Sequence, residues 1–275
     1  MNSLFDIIRQ RHSCRSYEPK RVESLVIAEL KTYMNTNNKG LFGEELLIDI
    51  VEKGVGTDKQ MKLDYGIISN HSTYIVGKTK SNTLSRMSYG YVVEKAVLKA
   101  TALGLSTCWV GYFENEFFTD IKLEPGFIIP SIVIMGYPGK TTISDKLLKL
   151  TASSGQRKEW SQLFFEDSFS IPLVPKNAGL YEDALEMLRL APSSGNTQPW
   201  RAIMESNGKR FHFFKKPISQ RYEEKGLHDV DMGIALSHFD LVVKQNNING
   251  KWERLPEIGK TYKERLEYMI SWVEG

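Results

Sequence analysis

The sequence predicts an α+β fold of mixed helices and strands, and three observations bear on whether it is built from two related halves in one chain. Short β-rich stretches alternate with segments of helical periodicity along the whole length. Two of the helical segments can be laid over one another without a gap. Between them, from about Glu166 to Gly179, the chain loses periodicity and holds Pro172 and Pro175, as a linker does. The division that follows is a first half over 1–165, a linker over 166–178 and a second half over 179–275.

Composition narrows the class. The chain has 275 residues, 41% hydrophobic and 25% charged, which is ordinary for a soluble globular protein. A net charge of +3, scattered apart from Lys20–Arg21 and Lys215–Lys216, excludes nucleic acid and acidic membrane as expected partners. No stretch approaches the ~18 apolar residues of a membrane span. The start MNSLFDIIRQR has no secretory pattern, so a cytoplasmic location is expected. Cys14 and Cys108 make neither a zinc spacing nor a disulfide framework and read as buried thiols in a reducing compartment. His71, His212, His228 and His238 show no metal spacing, so no metal is expected.

The elements follow in order. Leu4, Ile7 and Ile8 lie at helical spacing behind Ser3, a candidate N-cap, and give a first short helix ending near Arg11. A second helix starts at Ser24 and ends in the polar tract Asn35–Gly40. Leu46–Val51 and Thr73–Val76 are β-rich. Tyr89, Val92, Val93, Ala96, Val97 and Ala100 recur at three and four, the pattern of a core-facing helix closed by Gly104. Ser106–Gly111 and Ile132–Met135 read as buried strands. After the linker, Tyr181–Leu190 is helical. Ala202–Met204 and Phe211–Phe214 flank Asn207-Gly208, which predicts a hairpin with a type I′ turn. Met232–Val243 is a further helix, and Tyr262–Val273 reads as the last one.

The helices around Gly90 and Gly233 align at an offset of 143 positions, which also pairs Leu98 with Leu241 and Trp109 with Trp252. Any two amphipathic helices can align this far, so on this ground alone duplication and coincidence both stand.

Two polar segments carry chemistry. In Arg11-His12-Ser13-Cys14-Arg15, alternate residues of an extended chain share a side, so two guanidiniums and a hydroxyl can converge on a phosphate or an electron-rich ring edge. The plainer alternative is a solvated, dipole-compensating helix exit. In Ala191-Pro192-Ser193-Ser194-Gly195-Asn196-Thr197-Gln198-Pro199-Trp200, Pro192 ends a helix. The residues after it offer backbone N–H groups and side-chain amides to a polar ring; the alternative is a loop of Asx turns.

Both segments resemble the nitroreductase superfamily of FMN enzymes. Its Arg-(Arg/His)-Ser-x-Arg-x-aromatic stretch is matched by Arg11, His12, Ser13, Arg15 and Tyr17. Its Ala-Pro-Ser-x-x-Asn-x-Gln-Pro-Trp motif is matched at Ala191, Pro192, Ser193, Asn196, Gln198, Pro199 and Trp200. Gly104–Gly111 looks like the helix exit and strand beneath the flavin ring, and Met135-Gly136-Tyr137-Pro138 like the family's Gly-Tyr-Pro strand end. One departure is informative. An ordinary member carries the second motif one helix after the first, where this chain has Met34–Gly40 without Pro, Gln or Trp. Family members are typically swapped homodimers with FMN at the interface. The chain therefore resembles a fused branch, in which one polypeptide acts as a monomeric pseudo-dimer around one FMN.

That resemblance implies roles. Arg11, His12, Ser13 and Arg15 would hold the phosphate and pyrimidine side of FMN, with added charge from Arg157 or Lys158. Trp109, Val110 and Gly111 would run beneath the ring, a backbone N–H near Val110–Gly111 facing flavin N5. Pro192, Ser193, Ser194, Asn196 and Gln198 would close the site from the second half. No side-chain catalytic residue is implied, because the flavin carries the hydride. The implied activity passes hydride from NAD(P)H to a nitroaromatic, quinone or similar electrophile; the alternative is a non-catalytic flavin-binding or sensing protein. The aromatics Tyr112, Phe113, Phe117, Phe118 and Trp160 read as packing residues that could also roof a pocket.

Overall fold

The computed structural model describes residues 3–53, 68–140, 155–262 and 266–275. Helix α1 (Leu4–Gln10) begins where the sequence places its cap. Ser3 Oγ accepts from the Asp6 N–H at 3.2 Å, and Asp6 accepts in return from the Ser3 N–H, a capping box. Helix α2 (Ser24–Thr36), strands β1 (Leu47–Glu52) and β2 (Thr73–Lys80), helix α3 (Thr83–Ala102), and strands β3 (Ser106–Val110), β4 (Phe127–Ile128) and β5 (Ile132–Gly136) follow. They form a sheet of order β1-β2-β5-β3, with β4 also on β2.

The rest of the chain supplies helix α4 (Trp160–Leu163), strand β6 (Phe164–Glu166), helix α5 (Glu182–Arg189), strands β7 (Trp200–Met204) and β8 (Arg210–Lys215), and helices α6 (Gln220–Glu224) and α7 (Leu227–Gln245). Strand β9 (Gly250–Glu253), helix α8 (Pro256–Thr261) and strand β10 (Glu267–Glu274) complete a second sheet of order β6-β7-β8-β10-β9. The paths β1-β2-β5-β3 and β7-β8-β10-β9 are drawn alike: an antiparallel pair, a long helix, an edge strand, then a strand inserted between edge and pair.

Helices α3 and α7 pack on each other between the sheets, and both are buried on nearly every face. Burial all round explains why their periodicity marks only part of their length. They cross with almost no gap. A Cβ at Gly90 would collide with the Val230 carbonyl oxygen, and one at Gly233 with that of Met87. They also end alike. Leu105 N–H donates to Ala100 O at 3.0 Å, and Ile248 N–H to Val243 O at 2.9 Å. The residues that turn the chain, Gly104 (φ 82°) and Asn247 (φ 55°), are both left-handed. Each equivalence falls on the offset of 143.

Three expectations change. The last element is a strand: β10 runs from Glu267, and Tyr268, Met269, Ile270, Ser271 and Trp272 are buried in succession between β8 and β9. A strand covered on both faces reads as a continuous apolar run, so the alternation that separates strand from helix is lost. Residues 263–265 of the expected helix lie outside the described residues. The β7–β8 hairpin forms, but only Gly208 (φ 70°) is left-handed and Asn207 is not, so its turn is not type I′. Instead the Gly208 N–H donates to Glu205 O at 2.8 Å, and Asn207 Oδ1 accepts from the Lys209 N–H at 2.8 Å. Third, the stretch 166–178 carries structure: Glu166 pairs with Met204, and Leu173 and Ala178 are buried. Both thiols are buried and neither is in a disulfide. Among the described residues no helix is long and apolar enough to cross a membrane, and no group of metal-ligating side chains is present.

The crossing yields a direct test. Gly233→Ala puts a methyl group against backbone that cannot rotate away, and overpacking of this kind costs about 3 kcal/mol. Urea unfolding should show that loss in midpoint; an unchanged midpoint would mean the helices separate without cost.

Candidate functional site

A cavity of about 1020 Å³ opens at the seam between the two sheets' helices, large for a single small-molecule site. Its first wall is the segment after α1. The helix stops at Arg11, whose N–H still donates to Ile7 O at 2.9 Å. The chain then runs extended alongside β3, with Ser13 bridged to Thr107 and the Cys14 N–H donating to Thr107 O at 2.9 Å. Extension makes the side chains alternate. Arg11, Ser13 and Arg15 reach the cavity with His12 at its rim, while Cys14 and Tyr17 turn into the core. Tyr17 OH fixes that turn by donating to Cys14 O at 3.0 Å.

The floor is the end of β3: Trp109, Val110 and Gly111. Trp109 is held by its indole N–H, which donates to Glu94 Oε2 at 2.7 Å. A Cβ at Gly111 would press on the Leu227 side chain, whose Cδ1 lies 2.6 Å from where it would be.

The second wall is Pro192, Ser193, Ser194, Gly195 and Asn196, directly after α5. Three nearby residues are left-handed: Gly195 (φ 56°), Asn196 (φ 55°) and Gln198 (φ 50°). The strained loop is therefore pinned at several points. Ser193 Oγ accepts from the Gln198 N–H at 2.9 Å, and Asn196 Oδ1 accepts from Arg157 Nη1 at 3.1 Å. Ser194 donates to Asp231 Oδ1 twice, from its N–H at 2.9 Å and its hydroxyl at 3.1 Å.

Of the fourteen residues singled out in the sequence, twelve line this one cavity; Lys158 and Gln198 do not. Lys158 Nζ donates to Thr197 O, and its N–H to Gln198 Oε1 at 2.8 Å, so the two brace the loop from behind. The aromatics are packing residues. Phe113, Phe117 and Phe118 pack with Tyr74 in a separate cluster, and Trp160 lies edge-on to Phe164 at 4.7 Å. Tyr112 stacks under the Arg221 guanidinium at 4.1 Å.

The cavity is electropositive at one end. Arg11 is only 8% exposed, and its Nε is buried with no partner among the described residues. Burial lowers its pKa, opposed by Glu94 and Cys108. Arg157 is held down to about 10, by burial first and then by Arg11 and Arg189. The nearby carboxylate, Glu94, is already engaged by Trp109 and His238. Two guanidiniums crowded on one cavity suit an anion such as a phosphate.

The other end is apolar and comes from a helix face that sequence reasoning did not assign to the site. Leu227, Val230, Asp231 and Ile234 of α7 line it, with Tyr222 of α6 above. Positions i, i+3, i+4 and i+7 form one stripe, and an aspartate within an apolar stripe was the available signal. Burial pushes the Asp231 carboxyl up to about 8, against the pull of the Ser194 donors.

A solved Thermotoga maritima protein described as a "putative nitroreductase" superposes with a TM-score of 0.62 at 20% identity, over 99% of this chain and 94% of that one, a likeness of fold. A nitroreductase with bound FMN from Bacteroides fragilis matches 52% of this chain and 92% of its own, at 15% identity and a TM-score of 0.42. One from Desulfitobacterium hafniense, also with bound FMN, matches 52% and 92%, at 16% identity and 0.43. No curated protein matches the chain. The family described as "Putative TM nitroreductase" matches residues 3–243. A match over that span, on a fold whose two motif segments line a common cavity, makes this chain a member of the TM nitroreductase family, within the FMN-dependent nitroreductase superfamily.

Proposed function

We propose that the chain is an FMN-dependent oxidoreductase that takes hydride from NAD(P)H and passes it to a nitroaromatic, quinone or similar electrophile. One observation carries the reading: Arg11–Arg15 and Pro192–Asn196, far apart in sequence, line one cavity. The donor set fits FMN. Arg11, Arg157 and the Ser13 hydroxyl, all lining the cavity, suit its phosphate. Arg15 and His12 suit the polar edge of its ring, Trp109–Gly111 the floor beneath it, and Pro192, Ser193, Ser194 and Asn196 the closing side. Lys158 and Gln198 act on the cofactor through the loop they brace. When bound, FMN supplies the redox chemistry, and the protein orients it and excludes water.

In this reading the halves, 1–165 and 179–275, descend from one duplicated unit and act as a pseudo-dimer within one monomer. The like strand orders and matched helix ends support it. The place of the second loop in the first half is taken by Met34–Gly40, so one FMN per chain is expected. Two buried thiols outside any disulfide accord with the cytoplasm.

FMN titration followed by quenching of flavin fluorescence should give one site per chain. Arg15→Ala removes a charge-assisted bond and should weaken binding about tenfold to a hundredfold. A chain that takes up no FMN at all would end the reading. Anaerobic NADPH or NADH should then bleach the bound flavin. Bound flavin that neither reductant bleaches would instead favour a flavin-binding protein without turnover.

A further inference from the structure

Arg11, Lys95, Arg201 and Lys215 are cations buried among the described residues. Three of them have a carboxylate at hand. Lys215 is paired with Glu223, Asp229 and Glu267, Glu94 acts on Arg11, and Asp240 acts on Lys95. Arg201, on β7, differs. It is 7% exposed, and no carboxylate among the described residues pairs with it or acts on it. A buried charge without a counter-charge is costly, so this one calls for an anion.

The guanidinium has a side to offer. Its Nη1 donates to the carbonyl oxygens of Gln198, at 3.1 Å, and of Trp200. Nε and Nη2 donate to nothing among the described residues, and neither is shut off from solvent. Their parallel N–H groups are the pair that matches two oxygens of one oxyanion. Burial lowers the Arg201 pKa only to about 10, so the group is charged at neutral pH.

Two lysines share its surroundings. Lys158 Nζ lies 3.4 Å from the same Gln198 oxygen and also donates to Thr197 O. Lys216 follows β8, and its N–H donates to Pro199 O at 2.7 Å. Burial, and then Arg201 and Lys216, press the Lys158 ammonium down to about 8. Glu159, the residue after Lys158, acts instead on Arg189, together with Glu186. Three separate parts of the chain thus gather like charges on residues 197–201, and none of the three side chains lines the cavity. Such a cluster favours a dianion over a singly charged carboxylate.

We propose that Arg201, Lys158 and Lys216 form an anion site behind the loop that takes a phosphate group, two of its oxygens on Nε and Nη2 of Arg201 and its charge balanced by the two ammonium groups. Arg201 and Lys158 hold the carbonyls of Thr197, Gln198 and Trp200, so an occupant fixes the loop that continues into the cavity wall at Asn196. The inference does not depend on the reductase reading.

The test is calorimetric titration of inorganic phosphate into the full chain at constant ionic strength, with excess FMN present and absent. Acetate serves as the singly charged control. Wild type should bind phosphate with a Kd of about 1 mM or tighter in both conditions. Arg201→Gln should weaken that binding about tenfold to a hundredfold. Lys216→Glu, at an exposed position, should fold normally and weaken it about tenfold. Phosphate should raise the thermal midpoint of wild type more than that of Arg201→Gln. Phenyl phosphate that binds as well as phosphate would identify an ester as the occupant; its exclusion would identify the free ion. No phosphate binding by wild type would overturn the proposal, as would unchanged affinity in either folded variant or acetate binding as tight as phosphate. If Arg201→Gln fails to fold, Lys216→Glu decides alone. Phosphate that FMN displaces altogether belongs to the cavity and would also overturn it. A chain that takes up no FMN ends the reductase reading alone, because the variants still decide for or against this site.

Discussion

The fold depends on one steric constraint, the near contact of α3 and α7 where Gly90 meets Val230 and Gly233 meets Met87. Two helices can approach this closely only where neither carries a side chain. Approach at that distance buries both nearly all round, and burial favours partnered polar groups. Several are partnered across the seam, while Ser237 Oγ has no partner among the described residues. Arg86 pairs with Asp229, Tyr91 OH donates to Asp240 Oδ2 at 2.6 Å, and His238 Nε2 lies 2.9 Å from Glu94 Oε1. Glu94 and His238 are both fully buried, and such a pair is costly to break from one side only.

The same seam sets the chemistry of the cavity. Glu94 leaves the helix pair to hold Trp109 on the floor and acts on Arg11 in the wall. Packing between α3 and α7 and charge in the site are therefore linked through one carboxylate. The loop Pro192–Asn196 is tied to the opposite helix through Ser194 and Asp231. Neither wall stands without the helix crossing behind it. A site assembled this way is backed by two packed helices, which is how ordered donors survive in a largely apolar hollow.

Much of this was legible in the residues. Ser3 and Asp6 spell out the first cap, Gly104 the end of α3, and the alternation of Arg11, Ser13 and Arg15 the face that turns to the cavity. These signals are local, so they survive without knowledge of neighbours. The misses are the places where neighbours decide. β10 looks helical because both its faces are covered, and the turn at Asn207-Gly208 is set by hydrogen bonds at Glu205 and Lys209 rather than by that dipeptide alone. Lys158 and Gln198 carry the right chemistry but point behind the loop, and no spacing rule distinguishes front from back there. The stripe Leu227–Ile234 was present as a pattern, yet its role as a cavity wall follows only from where α3 pushes it.

The pair Arg86–Asp229 carries the argument about the two halves one step further. The positions share the offset of 143, and they touch each other. If the halves descend from one unit, as proposed, a residue that meets its own counterpart lies on the axis relating them. In two identical copies that place would hold Arg against Arg or Asp against Asp, a like-charge contact buried beside Lys215. Opposite charges can stand there only when the two copies are free to differ, as they are within one chain. Under the proposed duplication the same freedom would extend to Ser88 and Asp231, at that offset too, and to Met34–Gly40 against Pro192–Asn196. In the proposed pseudo-dimer, joining the halves did more than hold them together: it let one side keep the loop, the acid and the cavity while the other became support.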